Sequence, residues 1–173
     1  MRKLLRGFIS GFEKLIFGMN VIGTVWIFLL VLLVVADVAG RLILRSPIAG
    51  TAELCKIANP GIAFLQVTYV LWLGSHIRTT VLLDRVSSRG RMLLDILAAT
   101  IGIFMFAAIV YSSLSLTWVA WQVGEYEGEG ALRVPVAPVR TIILVGSACM
   151  IVQFLRHIYG YLASYKAAQK REG

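Results

Sequence analysis

The sequence predicts an all-α integral membrane protein with four transmembrane helices, an N-terminal amphipathic interfacial helix and both termini in the cytoplasm. Hydrophobic residues make up 58% of the 173 residues and the mean hydropathy is +0.81. A soluble core of this size cannot bury so much apolar surface. Four apolar runs are separated by charged segments, and the formal charge of +8 is distributed unevenly between those segments.

The N-terminal region combines a basic start with a long apolar run. In residues 1–14 the apolar side chains share one helical face, which predicts a helix lying on a membrane with acidic lipids. The alternative is a frayed basic flank. Span one is predicted at residues 15–38, because the 22 uncharged residues from Leu15 to Ala36 reach about 33 Å as a helix and cross a hydrocarbon core of about 30 Å. A cleaved signal peptide is disfavoured by the length of this run.

Three further spans follow. Span two is predicted at residues 57–77 if Asn59 caps the helix, or from residue 51 if the helix continues through Pro60. Span three is predicted at residues 92–122 and must tilt or project from the bilayer because its apolar run is long. Span four is predicted at residues 139–161, with Arg140 and Arg156 reaching the headgroups, and residues 162–173 form a basic cytoplasmic tail.

The distribution of basic residues predicts the topology. Four spans place both termini on one side, and twelve Lys and Arg residues fall on that side against five on the other. This bias makes the termini cytoplasmic and the loops at 37–56 and 123–140 outward. The basic charge is therefore explained by membrane topology, and we expect no nucleic-acid partner.

The sequence contains no pattern typical of catalysis, metal binding or cofactor binding. Cys55 and Cys149 have neither metal-ligand spacing nor a disulfide framework, and we interpret them as packing residues. The centres of the spans hold only neutral polar side chains, of which Gln66 is the most polar. His76 and His157 could clamp a haem on facing helices; that redox function is the least favoured alternative.

The first outward loop has the strongest local signals. Asp37 and Arg41 are four residues apart, so they can pair on one face where span one leaves the membrane. Pro47 and Gly50 predict a turn, and Thr51 is a candidate N-cap of the next helix. Glu53 then lies in the first helical turn, where a carboxylate is favourable.

The ordered combination of these residues resembles the DctQ-like small membrane subunit of tripartite ATP-independent periplasmic (TRAP) transporters. The resemblance covers nearly the whole chain, and Pro60 is a departure from its pattern. It is carried by Tyr126, Pro135, Pro138 and Arg140 before span four, and by Asp37, Arg41, Pro47, Gly50, Glu53, Leu54, His76, Ile77, Arg78, Asp84 and Arg85.

The resemblance implies sodium-driven uptake of organic acids across the inner membrane of a bacterium, without enzymatic activity. It implies two protein partners: a large membrane subunit that holds the substrate and sodium sites, and a periplasmic substrate-binding protein. The chain itself then needs no cofactor, although membrane lipids surround it and a structural phospholipid is compatible with it. We expect it to brace the scaffold of the large subunit; the alternative is a self-sufficient small oligomeric transporter or channel.

The outward loops offer candidate residues for docking the binding protein. They are chosen by charge and predicted side alone: Arg45, Glu125, Glu127, Glu129 and Arg133. Glu53 belongs to the same group. The substrate acid and the number of copies in a complex are not encoded in any recognisable pattern.

Overall fold

The computed structural model describes residues 2–73, 88–128 and 133–172. These residues form α1 (Arg2–Ala39), a π-helical turn (Gly40–Leu44), α2 (Thr51–Trp72), α3 (Ser88–Val123) and α4 (Ala137–Glu172). Strands β1 (Tyr126–Glu127) and β2 (Val134–Pro135) lie between α3 and α4. The four helices contain stretches long and apolar enough to cross a membrane, at Ile9–Leu44, Thr51–Trp72, Leu93–Val123 and Ala137–Leu162. The predicted all-α membrane fold is therefore confirmed.

The helices pack in the order α1, α2, α4, α3, so α2 and α4 are central and α1 and α3 flank them. In the most apolar 18-residue stretch of each helix, 11% of residues are buried in α1 and in α3, against 39% in α2 and 33% in α4. The flanking helices are also the more hydrophobic pair. This matches a bundle whose outer helices meet hydrocarbon or another membrane protein rather than water.

Helix α1 joins two elements that the sequence predicted separately. Residues 1–14 and span one were expected to be distinct, but the helix runs without a break from Arg2 to Ala39. Phe12, near the end of the predicted interfacial segment, also packs inward, since it belongs with Ile16 to the same core cluster as Leu65 and Cys149. The position of residues 1–14 in the membrane interface, and of both termini in the cytoplasm, stays a prediction.

The start of α2 follows the longer of the two predicted helices. The helix begins at Thr51 and contains Pro60 in its interior. The cap differs from the prediction: Gly50 occupies the N-cap position with φ 88°, and the Thr51 hydroxyl instead donates to the carbonyl of Ile48 at 3.0 Å. A left-handed backbone favours glycine because glycine has no Cβ. Gly50 therefore sets the entry of α2, and Thr51 is its first helical residue.

The seam between α2 and α4 depends on one small residue. A Cβ built on Gly146 would lie 2.5 Å from the carbonyl oxygen of Phe64, so the two backbones are in direct contact there. The buried Thr68 hydroxyl donates to the Gly146 carbonyl at 3.4 Å beside this contact. Small residues let membrane helices approach closely, and Gly146 has that role here.

The connection from α3 to α4 contains a β-hairpin that the sequence did not predict. Tyr126 pairs with Pro135 and Glu127 with Val134 in antiparallel register. Below the strands, the Val136 amide donates to the Glu125 carbonyl at 3.0 Å. The end of the bundle formed by this hairpin and by residues 40–50 is called the hairpin end below.

Candidate docking surface at the hairpin end

Asp37 fixes the path of the chain between α1 and α2. Its Oδ2 accepts hydrogen bonds from Nε and Nη2 of Arg41, at 2.9 and 2.8 Å, so the pair predicted from their spacing is present. Its Oδ1 accepts from the amide of Ile48 at 2.7 Å. Asp37 is only 5% exposed, whereas the Arg41 side chain is 58% exposed. One buried carboxylate thus holds both the end of α1 and the turn before α2.

Two ion pairs attach the hairpin to the helices. Lys56 of α2 pairs with Glu127 of β1, which links segments far apart in the sequence. Arg140 of α4 binds Glu125 through two nitrogens, with both contacts at 2.7 Å. Paired guanidinium and carboxylate groups give a geometrically defined contact. The hairpin is therefore fixed to α2 on one side and to α4 on the other.

Arg140 also reaches the end of α3. Its Nη1 donates to the carbonyl of Leu116 at 3.0 Å. Nearby, the indole nitrogen of Trp121 donates to the Thr141 hydroxyl at 3.0 Å. Together these contacts join the last turns of α3 to the first turns of α4 at the base of the hairpin.

Arg133 and Arg45, two of the three remaining described candidates for docking, differ in their surroundings. The Arg133 guanidinium lies 4.7 Å from the ring centre of Tyr126 and donates to the Tyr126 hydroxyl at 3.0 Å. Arg45 is exposed and adopts a left-handed backbone, with φ 51°, after the π-helical turn. A left-handed non-glycine residue is uncommon, and here it lies where α1 stops.

The structure brings most of the predicted residues to this one end. Asp37 lies in the last turn of α1, Arg41, Pro47 and Gly50 lie in the connection from α1 to α2, and Glu53 lies in the first turn of α2. Glu125 and Glu127 were chosen as charges available to a partner, but both are in ion pairs within the chain. The sequence did not predict these pairs because each joins residues that are far apart along the chain: Glu127 is 71 residues from Lys56, and Glu125 is 15 residues from Arg140. His76, Arg78, Asp84 and Glu129 lie outside the described residues.

The middle of the bundle is joined by hydrogen bonds between neutral side chains. Gln66 of α2 donates to the Thr24 hydroxyl of α1 at 3.4 Å, and Thr24 in turn donates to the carbonyl of Asn20. Gly23 lies directly against Gln66, so a small residue on α1 makes room for the amide. Gln66 therefore connects two helices at mid-span, as a packing residue does.

The described histidine is bonded within the chain, and the described acidic residues form no metal-binding group. His157 uses Nε2 for a contact of 3.2 Å to the carbonyl of Leu71, which makes this nitrogen the donor. Across residues 2–73, 88–128 and 133–172, no three His, Cys, Asp or Glu side chains are grouped closely enough to hold a metal. The contacts at the hairpin end and at mid-span attach helices and loops to one another.

Comparison with known protein families identifies the family of this chain. Residues 30–163 match the family model described as "Tripartite ATP-independent periplasmic transporters, DctQ component". The match covers well over half of the chain and includes the hairpin end, all of α2 and α4 as far as residue 163. The chain belongs to the DctQ family. No curated protein matches it.

Membership of the DctQ family confirms the resemblance found in the sequence. The protein is a component of a tripartite transporter, is not an enzyme, and has partner subunits. It is also a multi-pass membrane protein, as its four apolar helices require. The residues singled out at the hairpin end all lie within the matched range, so they are part of the family region.

Proposed function

We propose that this DctQ component is the small permease subunit of a sodium-driven transporter for organic acids in the inner membrane of a bacterium. In this proposal it braces the scaffold of a large membrane subunit that carries substrate and sodium. The observation that carries the proposal is the layout of the bundle. Polar contacts are concentrated at the hairpin end and along internal seams, while the outer faces of α1 and α3 are apolar and exposed.

The exposed apolar faces support a bracing function for a physical reason. A moving transport domain needs a rigid static neighbour, and membrane helices associate through shape and close packing rather than through the hydrophobic effect. Side chains such as Phe28 of α1 and Phe104 of α3 are exposed and available for such packing. Charged groups near the membrane centre, which a substrate or ion pathway usually needs, are missing from the sequence of all four apolar runs.

Recovery of the assembled complex tests the proposal. A C-terminal tag, extraction from native membranes in mild detergent and mass spectrometry of the companions should yield a much larger many-span protein in equal amount. Recovery of this chain alone, or with copies of itself only, would support the self-sufficient transporter instead. Substrate uptake by liposomes that contain only this chain would also support the self-sufficient transporter.

We further propose that the hairpin end helps to seat the periplasmic substrate-binding protein. The support is that Arg45, Arg133 and Tyr126 are exposed on a hairpin and turn that ion pairs hold in place. A preorganised surface loses less conformational freedom when it binds. Arg133→Glu and Arg45→Glu should raise the binding-protein concentration needed for half-maximal uptake without reducing the amount of assembled transporter.

The matched control separates docking from folding. Lys14 is exposed near the opposite end of the bundle, so Lys14→Glu makes the same charge reversal as the two arginine variants but outside the proposed surface. This variant should need the wild-type concentration of binding protein. Docking at the hairpin end is rejected if all three variants show the wild-type concentration dependence.

A further inference from the structure

A pocket of about 380 Å³ opens at the end of the bundle opposite the hairpin, where α2 ends against α4. It is lined by Trp72, Gln153, Arg156, His157, Gly160 and Tyr161. Trp72 is the last residue of its candidate span, and Tyr161 is next to the last residue of the α4 span. Aromatic side chains at the ends of membrane helices are typical of headgroup depth. The pocket therefore lies where lipid headgroups are present.

Two buried polar atoms of this pocket have no hydrogen-bond partner within the described part of the chain. They are Oε1 of Gln153, whose residue is 3% exposed, and Nη1 of Arg156. One is an acceptor and the other is a charged donor. Buried polar groups are nearly always paired, so these two atoms together indicate a ligand that offers both a donor and an anionic oxygen.

The other groups around the pocket restrict the charge of that ligand. Arg156 uses Nη2 to bind Oε1 of Glu13 at 3.0 Å, so one carboxylate already faces the guanidinium. His157 donates from Nε2 to the Leu71 carbonyl at 3.2 Å and so presents no acceptor there; the Gln153 amide nitrogen lies 3.5 Å from the same Nε2, and this contact between two donors does not fix the amide. A purely anionic ligand would meet the Glu13 charge, whereas a ligand that also carries an ammonium group would be attracted to it.

We propose that this pocket binds a phosphoethanolamine group, with its phosphate on Nη1 of Arg156 and its ammonium on Oε1 of Gln153. A guanidinium is well suited to phosphate oxygens, and an amide oxygen accepts from an ammonium N–H. Choline fits less well because its quaternary nitrogen has no N–H to donate. The source is phosphatidylethanolamine of the surrounding membrane, because the pocket lies at headgroup depth. This assignment stands independently of the proposed transport function.

Lipid retention by the purified chain tests the assignment. The full chain is delipidated in detergent, exposed to equal amounts of phosphatidylethanolamine, phosphatidylcholine and phosphatidylglycerol, and analysed by native mass spectrometry. We expect about tenfold stronger retention of phosphatidylethanolamine than of either other lipid, equivalent to about 1.4 kcal/mol. Equal retention of the three lipids would overturn the proposal.

Variants identify the atoms involved. Arg156→Gln should weaken retention of phosphatidylethanolamine, and Gln153→Leu should reduce its preference over phosphatidylcholine to none. Gln153→Glu keeps the shape and adds a carboxylate for the ammonium, so it should preserve or increase that preference even if Gln153→Leu folds poorly. Gln122 is an exposed glutamine in α3, so Gln122→Leu is the matched control and should retain lipids as the wild type does.

A soluble competitor distinguishes the lipid from a free phosphate ester. Glycerophosphoethanolamine carries the same headgroup without acyl chains, and it should displace the lipid only at much higher concentration. Displacement at equal concentration would assign the pocket to a soluble phosphate ester and reject the lipid. Wild-type retention of phosphatidylethanolamine in Arg156→Gln, together with an unchanged lipid preference in Gln153→Leu, would place the lipid elsewhere on the protein.

Discussion

At the scale of the residue, the charged groups of this DctQ component act mainly within the chain. Asp37, Glu125 and Glu127 each hold a connection between helices, through Arg41, Arg140 and Lys56. These pairs hold the connections in one shape. The first test of the charged residues at the hairpin end is therefore whether they hold the connections between helices in position.

The pair between Glu125 and Arg140 allows a charge-swap test. Glu125→Arg alone places two cations together at the base of the hairpin and should lower thermal stability in detergent and weaken uptake. The pair is partly exposed, so its contribution is about 1 kcal/mol or less. The combined exchange Glu125→Arg with Arg140→Glu should recover both properties. Recovery of stability without uptake would show that the charge of Glu125 itself contacts a partner.

Gln66 provides a second test at this scale. Gln66→Leu removes a long hydrogen bond to Thr24, and such bonds between membrane helices contribute about 0.6 kcal/mol. Thermal stability should fall slightly, and uptake by the assembled transporter should keep its sodium and substrate dependence. Loss of uptake with normal assembly would contradict the packing role and favour a pathway through this chain.

At the scale of the element, the contact between α2 and α4 determines how the bundle closes. Gly146 meets the backbone of α2 at Phe64, and backbone cannot move aside as a flexible side chain can. Gly146→Leu should therefore separate the two central helices and lower stability by about 1 to 3 kcal/mol, in the range of other overpacked sites. Thermal unfolding of the purified protein measures this effect.

The control for this prediction is Gly18 of α1. A Cβ at Gly18 has no heavy atom within 4 Å, so Gly18→Leu should unfold close to the wild-type temperature. If both glycine variants lose the same stability, the effect is one of glycine in a membrane helix in general. The close approach of α2 and α4 at Gly146 would then make no specific contribution to stability.

The membrane-spanning helices could be predicted from the sequence, but the contacts between segments distant along the chain could not. The apolar runs predicted all four spans, because length and hydropathy are local properties. The pair of Asp37 with Arg41 was also predicted, since helical periodicity places them together. The cap at Gly50, the hairpin at Tyr126 and the pairing of Lys56 with Glu127 depend on backbone geometry and on segments brought together by packing. Local patterns do not contain that information.

At the scale of the whole molecule, the arrangement of the helices limits where a large membrane partner can bind. Helices α2 and α4 are central and are the more buried pair, so the broadest exposed surfaces are those of α1 and α3. On α3 the side chains of Phe104, Tyr111 and Trp118 are all more than 60% exposed, and they are spaced by seven residues along one face. A partner that packs against the bundle must cover at least one of these flanks.

Labelling with a carbene reagent dissolved in the lipid phase tests this limit. In the chain alone, both flanks should be labelled, and the α2–α4 seam around Gly146 should stay unlabelled because it is closed by backbone contact. In the complex, one flank should lose most of its labelling while the other remains accessible, because a subunit bracing a scaffold from outside leaves its far side in lipid. Protection of neither flank would contradict bracing, and new labelling at the seam would mean that the partner opens the bundle.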